Sequence, residues 1–191
     1  HPVYGKYLRH FDTLPRGLIL AEFRGHSEKD LLDQMKLIRS KVEAEVDTKK
    51  IHFLFGNEIE EMWSLRKAGL GLLANIPGDP KAVACVEDTA VALDDLPNYI
   101  DEFEAIMQEY GQKAIYYAHA GAGELHLRPV LDLKRSEDVK LFEEISSASA
   151  DLVLKYNGSL SGEHGDGRLR GEFIPLMMGD HIYGLFKELK H

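Results

Sequence analysis

Leu31, Met35, Ile38, Val42 and Val46 recur three to four positions apart, the spacing that puts side chains on one face of an α-helix. Ser27 and Asp30 stand just before this stripe and make a capping-box-like start. On either side lie short apolar runs, "GLILAEF" at 17–23 and "IHFLF" at 51–55, which predict strands. The same order returns further on. "AVACVEDTAVAL" at 82–93 predicts a strand, Leu96, Ile100, Phe103, Met107 and Tyr110 mark a helix ended by Gly111, and "AIYYAH" at 114–119 predicts another strand. A further helix runs from about Ser136 to Tyr156, with Phe142, Ile145, Ser149, Leu152 and Tyr156 on one face, and stops at Asn157-Gly158. The segment 57–73 around Trp63 also reads as helix, and "NIPGDP" at 75–80 is a turn between the halves. The expected fold class is α+β, an antiparallel sheet with helices packed on it, in ferredoxin-like strand-helix-strand units that read as a duplication.

Length and charge narrow the function. At 191 residues the chain suits one domain or two small similar halves. With 23 Lys plus Arg against 32 Asp plus Glu, the formal charge is −9, which disfavours a phosphate-backbone partner, so nucleic acid is not expected. Cys85 is the single cysteine, which excludes an internal disulfide and a thiolate cluster. No apolar run in the sequence reaches the roughly 18 residues that span a bilayer. The expected setting is a reducing one, the cytoplasm, with membrane association through electron-transfer partners as the alternative.

Two glycine-rich stretches carry the candidate chemistry. "YAHAGAGELHLRP" (117–129) holds His119 and His126, and on a straight strand residues seven apart would point to opposite faces. Gly121 and Gly123 permit a tight turn or bulge, after which the imidazoles can sit across from each other. Two ordinary histidines on a glycine-rich hairpin would give the same spacing. "SGEHGDGRLRG" (161–171) places Glu163 beside His164 among glycines, a loop whose backbone can approach another group closely. A carboxylate beside two histidines makes a His₂Glu ligand set with coordination positions left open. His164 would then be left to move a proton, since an unperturbed imidazole titrates near neutral pH. A surface turn with a charged pair is the plainer alternative. No HExxH, EF-hand loop, cysteine pair or dinucleotide GxGxxG occurs.

"HAGAGELHLRP" and "SGEHGDG", with "MWSLRKAG" (62–69) and "CVEDTAVALDDLPNYI" (85–100), resemble the C-terminal, substrate-capping domain of FAD-linked oxidases. This is the family of D-lactate dehydrogenases, glycolate oxidase subunits and D-2-hydroxyglutarate dehydrogenases. The resemblance runs from about residue 17 to residue 189, with the four stretches in the expected order. It implies a divalent metal on the matching positions His119, His126 and Glu163, with His164 matching the base. It also implies that Arg66 meets a substrate carboxylate; a guanidinium binds such a group bidentately. Arg128 is the weaker candidate for a second carboxylate, as in 2-hydroxyglutarate, because pairing with Glu87 or Asp88 is as natural for a strand residue there. The family carries FAD on a separate N-terminal domain, so residues 1–191 are expected to be one cap domain of a larger flavoenzyme. The wording is nearest to the branch whose long members add an iron-sulfur module, which makes that module a candidate partner beside the flavin domain. A bared flavin-facing surface would favour homo-oligomers.

The implied reaction oxidises a 2-hydroxy acid to the 2-oxo acid. A metal at the triad would lower the hydroxyl pKa, His164 would take its proton, and hydride would pass to flavin. Zinc or manganese is expected rather than calcium, because imidazoles are poor calcium ligands. Two other classes remain at this point. A metal-dependent hydrolase would need no flavin, and a non-catalytic assembly domain would bind no metal.

Overall fold

The computed structural model describes residue 5, residues 17–45 and residues 51–191. Val46, at the end of the predicted helical stripe, lies outside them. The chain divides into two compact units, His1–Leu70 and Gly71–His191.

In the first unit the two helices form where the pattern placed them. Helix α1 spans Glu28–Glu45, and its start is a side-chain cap: Ser27 Oγ accepts from the Asp30 amide at 3.2 Å while Asp30 Oδ2 accepts from the His26 amide at 3.0 Å. The first bond satisfies one of the donors that a helix N-terminus leaves orphaned, and the second ties the preceding residue to the first turn. Helix α2 spans Asn57–Leu73, and the Trp63 indole donates to Glu22 Oε2 at 2.9 Å. The predicted strands at 17–23 and 51–55 are not strands: both segments are irregular, and Leu18, Ile19 and Phe55 are exposed. A strand exists only where a neighbour takes its backbone groups, and no described residue pairs with either run.

The second unit holds the sheet. Strands β1 (Lys81–Ala82), β2 (Val86–Ala90), β3 (Ala114–His119) and β4 (Glu124–Leu131) pair antiparallel, with β4 at the centre. β2 and β3 take opposite edges of β4, and β1 pairs with its far end. This is the α+β architecture the sequence predicts, but the expected duplication is not found, because the first unit has no strand among its described residues to make a second strand-helix-strand unit. A further correction concerns the run 82–93. The run 82–93 is not one strand but β1, a break and then β2, because the backbone turns at 83–85 and again into a 3-10 turn at Leu93–Asp95.

Helices α3 (Leu96–Glu109) and α4 (Ser136–Lys155) match their predicted stripes. Pro97 sits in the first turn of α3, where its missing N–H costs nothing. Gly111, at φ 63°, ends it, and the Gln112 amide bonds back to the Met107 carbonyl at 2.9 Å. Tyr99, Phe103 and Met107 from α3 and Ile145, Leu152 and Val153 from α4 are buried with Leu125, Leu127 and Leu131 of β4. Each such fully buried side chain contributes roughly 1.5–3 kcal/mol. Because strand side chains alternate, the odd positions of β4 fill this core and the even ones, Glu124, His126 and Arg128, share the other face.

A short α5 (Gly167–Arg170) and a long α6 (Ile174–Lys190) follow. Among the described residues no helix is long and apolar enough to cross a membrane.

Candidate metal and proton-transfer site

The hairpin between β3 and β4 resolves the spacing of the two histidines. His119 ends β3 and pairs with Glu124, while Tyr117 pairs with His126. The connection Ala120–Gly123 contains a 3-10 turn, and Gly123 closes it at φ 72°. A Cβ at Gly123 would lie 2.1 Å from the Val91 carbonyl oxygen, so both the turn and this close approach require glycine. With four residues in the loop, His119 and His126 fall on one face, and their ring centroids are 5.3 Å apart.

Glu163 and His164 arrive from the glycine-rich segment after α4. Glu163 Oε1 lies 4.0 Å from His119 Nε2 and 4.0 Å from His126 Nε2. The three ligand atoms lie within 4.8 Å of one another. A cation with ligand distances of about 2.0–2.2 Å wants its donor atoms roughly 3–3.5 Å apart. His119 and Glu163, about half exposed, have room to close that gap. His126 is buried, and burial, with His119 and His164 close by, lowers its pKa against the opposing pull of Glu87. It is therefore held neutral, the form that ligates. Its Nδ1 is buried without a hydrogen-bond partner, and Glu87 Oε1 lies 3.9 Å away. A carboxylate behind a ligating imidazole is the usual way the ring is oriented. The residues present fit a divalent transition metal.

His164, predicted to stand clear of the ligands, has its Nε2 2.9 Å from Glu163 Oε1 and its Nδ1 3.9 Å from Glu87 Oε1. Its ring stacks on His126 with centroids 5.6 Å apart. Arg128 is on the site face but engaged: Nη2 is paired with Glu87 Oε2, and the guanidinium lies 5.7 Å from the Tyr117 ring centroid. The pairing with Glu87 weighed from the sequence is the one found. Arg66 lies on α2, half-buried, where the first unit ends.

Sequence reasoning missed Glu124 and had Glu87 only as a partner for Arg128. Glu87 is the cross-strand partner of His126 in the β2–β4 ladder. Glu124 is buried, with Oε1 unpartnered and 3.6 Å from His126 Nε2. Burial pushes its carboxyl up to about 7, helped by a hydrogen bond shared with Asp88 and by the charge of Glu163. The alternation of "GELHLR" puts Glu124, His126 and Arg128 on one face, a signal the sequence did hold. A cleft of about 390 Å³ opens beside Glu163, lined by Ser159, Ser161, Asp166, Met177 and Met178.

The family of FAD linked oxidases, C-terminal domain, matches residues 6–191. A D-2-hydroxyglutarate dehydrogenase of Haemophilus influenzae is 36% identical over 157 residues, covering 79% of this chain and 15% of that protein. One of Pseudomonas putida is 33% identical over 177 residues, covering 91% of this chain and 17% of that protein. The mitochondrial D-lactate dehydrogenase (cytochrome) of Arabidopsis thaliana is 26% identical over 142 residues, covering 72% of this chain and 24% of that protein. The chain thus spans less than a quarter of the length of these relatives. With this match over nearly its whole length, the chain belongs to the family of FAD linked oxidases, as a C-terminal domain of that family.

Proposed function

We propose that this chain is the substrate- and metal-binding part of an FAD-dependent dehydrogenase that oxidises a D-2-hydroxy acid to the 2-oxo acid. The observation that carries the reading is the convergence of His119, His126 and Glu163 donor atoms within 4.8 Å. The relatives named as D-2-hydroxyglutarate and D-lactate dehydrogenases support the substrate class.

His119, His126 and Glu163 would hold zinc or manganese. When bound, the metal supplies Lewis acidity at the substrate hydroxyl, and FAD carried by another module accepts the hydride. His164 takes the hydroxyl proton at Nε2 as the carbonyl forms, once Glu163 Oε1, 2.9 Å from that nitrogen, turns to the metal. Glu87, facing Nδ1 of the same ring, stabilises the imidazolium that results. Arg66, which matches the family's carboxylate-binding arginine, is the candidate for the substrate carboxylate; Arg128 holds Glu87 in place and reaches a second carboxylate only by leaving it. In a dicarboxylate oxidation that exchange would be part of binding. An iron-sulfur module is the candidate onward electron acceptor.

The test uses the flavin-bearing protein that contains this domain, assayed with D-2-hydroxyglutarate, D-lactate and glycolate. His164→Asn is expected to retain the metal and lower kcat by about 10²–10⁴-fold. Arg66→Lys is expected to act partly through KM, since charge remains while the bidentate contact is lost. Loss of metal in His164→Asn would make that residue a ligand and remove it as the base.

A further inference from the structure

Asp88 is buried, carries a negative charge, and plays no part in the chemistry above. It sits where the register of β2 against β4 shifts between Glu87 and Thr89, and its φ is 84°. A non-glycine residue in that region costs of order 1–3 kcal/mol and persists where its surroundings demand it.

The demand is visible. Asp88 Oδ2 accepts from the Ser161 hydroxyl at 2.7 Å and from the His164 amide at 2.8 Å; Oδ1 accepts from the Glu163 amide at 2.8 Å. Its carbonyl accepts from the Gly162 amide at 2.7 Å. Three consecutive amides, 162 to 164, therefore end on one residue. Arg170 secures the same loop from within: Nη1 donates to the Glu87 carbonyl, Nη2 donates to the Gly165 carbonyl at 2.8 Å and lies 3.5 Å from Asp88 Oδ2. The Glu163 and His164 side chains, by contrast, are about half exposed. Their side-chain contacts run to other residues of the site itself, so the backbone from which they project sets where they start.

We infer that Asp88 is the positioning residue of this site: bulged out of β2, it fixes the backbone of Glu163 and His164 against His119 and His126, with Arg170 locking the loop behind it. The inference rests on the metal-site reading above. It goes beyond it by making the site's competence depend on a residue that touches neither metal nor substrate. A ligand set gathered from a hairpin and a separate loop needs such a tie, because a displacement of about 1 Å is enough to spoil a coordination geometry.

The test compares Asp88→Asn with Ile145→Val, a core change in α4 expected to lower stability without touching the loop. Amide hydrogen exchange at Glu163 and His164 is measured in the metal-free protein, and zinc affinity by competition with a chromophoric chelator. Asp88→Asn points an NH₂ group at backbone donors. It is expected to speed exchange at both amides about tenfold and weaken zinc about tenfold or more, with both changes within about twofold in Ile145→Val. Should Asp88→Asn fail to fold, Ser161→Ala removes one bond to the carboxylate and is expected to move both readouts the same way by less. Unchanged exchange overturns the inference, and so does faster exchange with unchanged zinc affinity. A wild-type chain that binds neither zinc nor manganese overturns the metal reading instead, and the exchange comparison then still decides whether Asp88 holds the loop.

Discussion

His119 and His126 offer the same ring to the site from opposite environments, and their substitutions should separate binding from stability. His119 is half exposed, whereas His126 is 3% exposed and stacked on Tyr117 with ring centroids 4.5 Å apart. His119→Ala is expected to abolish tight metal binding and shift unfolding free energy by less than about 0.5 kcal/mol. His126→Ala is expected to lose the metal and also about 2–4 kcal/mol, through the cavity it leaves and the loss of the ring facing Glu87 and Glu124. Metal titration and urea unfolding on the two variants check this, and equal stability losses would contradict it. Cys85 gives a second test. Burial raises its thiol to about 11, against a weaker opposing hydrogen bond from Ser146, so the thiolate is nearly absent up to pH 9 or so. Iodoacetamide at pH 8 should leave the native chain unlabelled and modify it once unfolded; rapid native labelling would mean the core is open there.

The hairpin from β3 to β4 is the element on which the site depends most. Gly123→Ala would drive a Cβ against the Val91 carbonyl and would need φ 72° from an alanine. The expected cost is about 2–4 kcal/mol by urea unfolding, with weakened metal binding because His119 and His126 lie at the two ends of the turn; a change below about 0.5 kcal/mol would contradict the turn assignment. Helices α1, α3 and α4 were legible because their stripes and caps are local: Ser27, Gly111 and Asn157 mark ends within a few residues. The runs at 17–23 and 51–55 were misread because an apolar run does not reveal whether a partner strand exists. Helix α6 went unpredicted because Gly179, at φ 75°, interrupts its pattern. Within the site, the two histidines and Glu163 were readable from residue type and nearby glycines. The roles of Glu87, Asp88 and Arg170 were not, since they come from pairing across strands and from a bulge, which only register reveals; Glu124 was within reach, because it alternates with His126.

For the molecule as a whole, the division of labour between this chain and a flavin-bearing module makes a direct claim. The 191-residue chain alone should bind metal yet oxidise none of D-2-hydroxyglutarate, D-lactate or glycolate with an artificial electron acceptor, because no side chain can accept a hydride. Turnover, or a flavin absorption band, would contradict that division. Underneath it lies the claim that His119, His126 and Glu163 form a metal site. The most direct measurement is elemental analysis of the chain purified without chelator or metal-affinity tag, then dialysed after exposure to zinc or manganese, beside Glu163→Gln treated identically. The account predicts about one equivalent of metal per chain in the wild type and a several-fold lower content in the variant. A wild-type chain that remains metal-free after reconstitution, or a variant that retains the full equivalent, would contradict it.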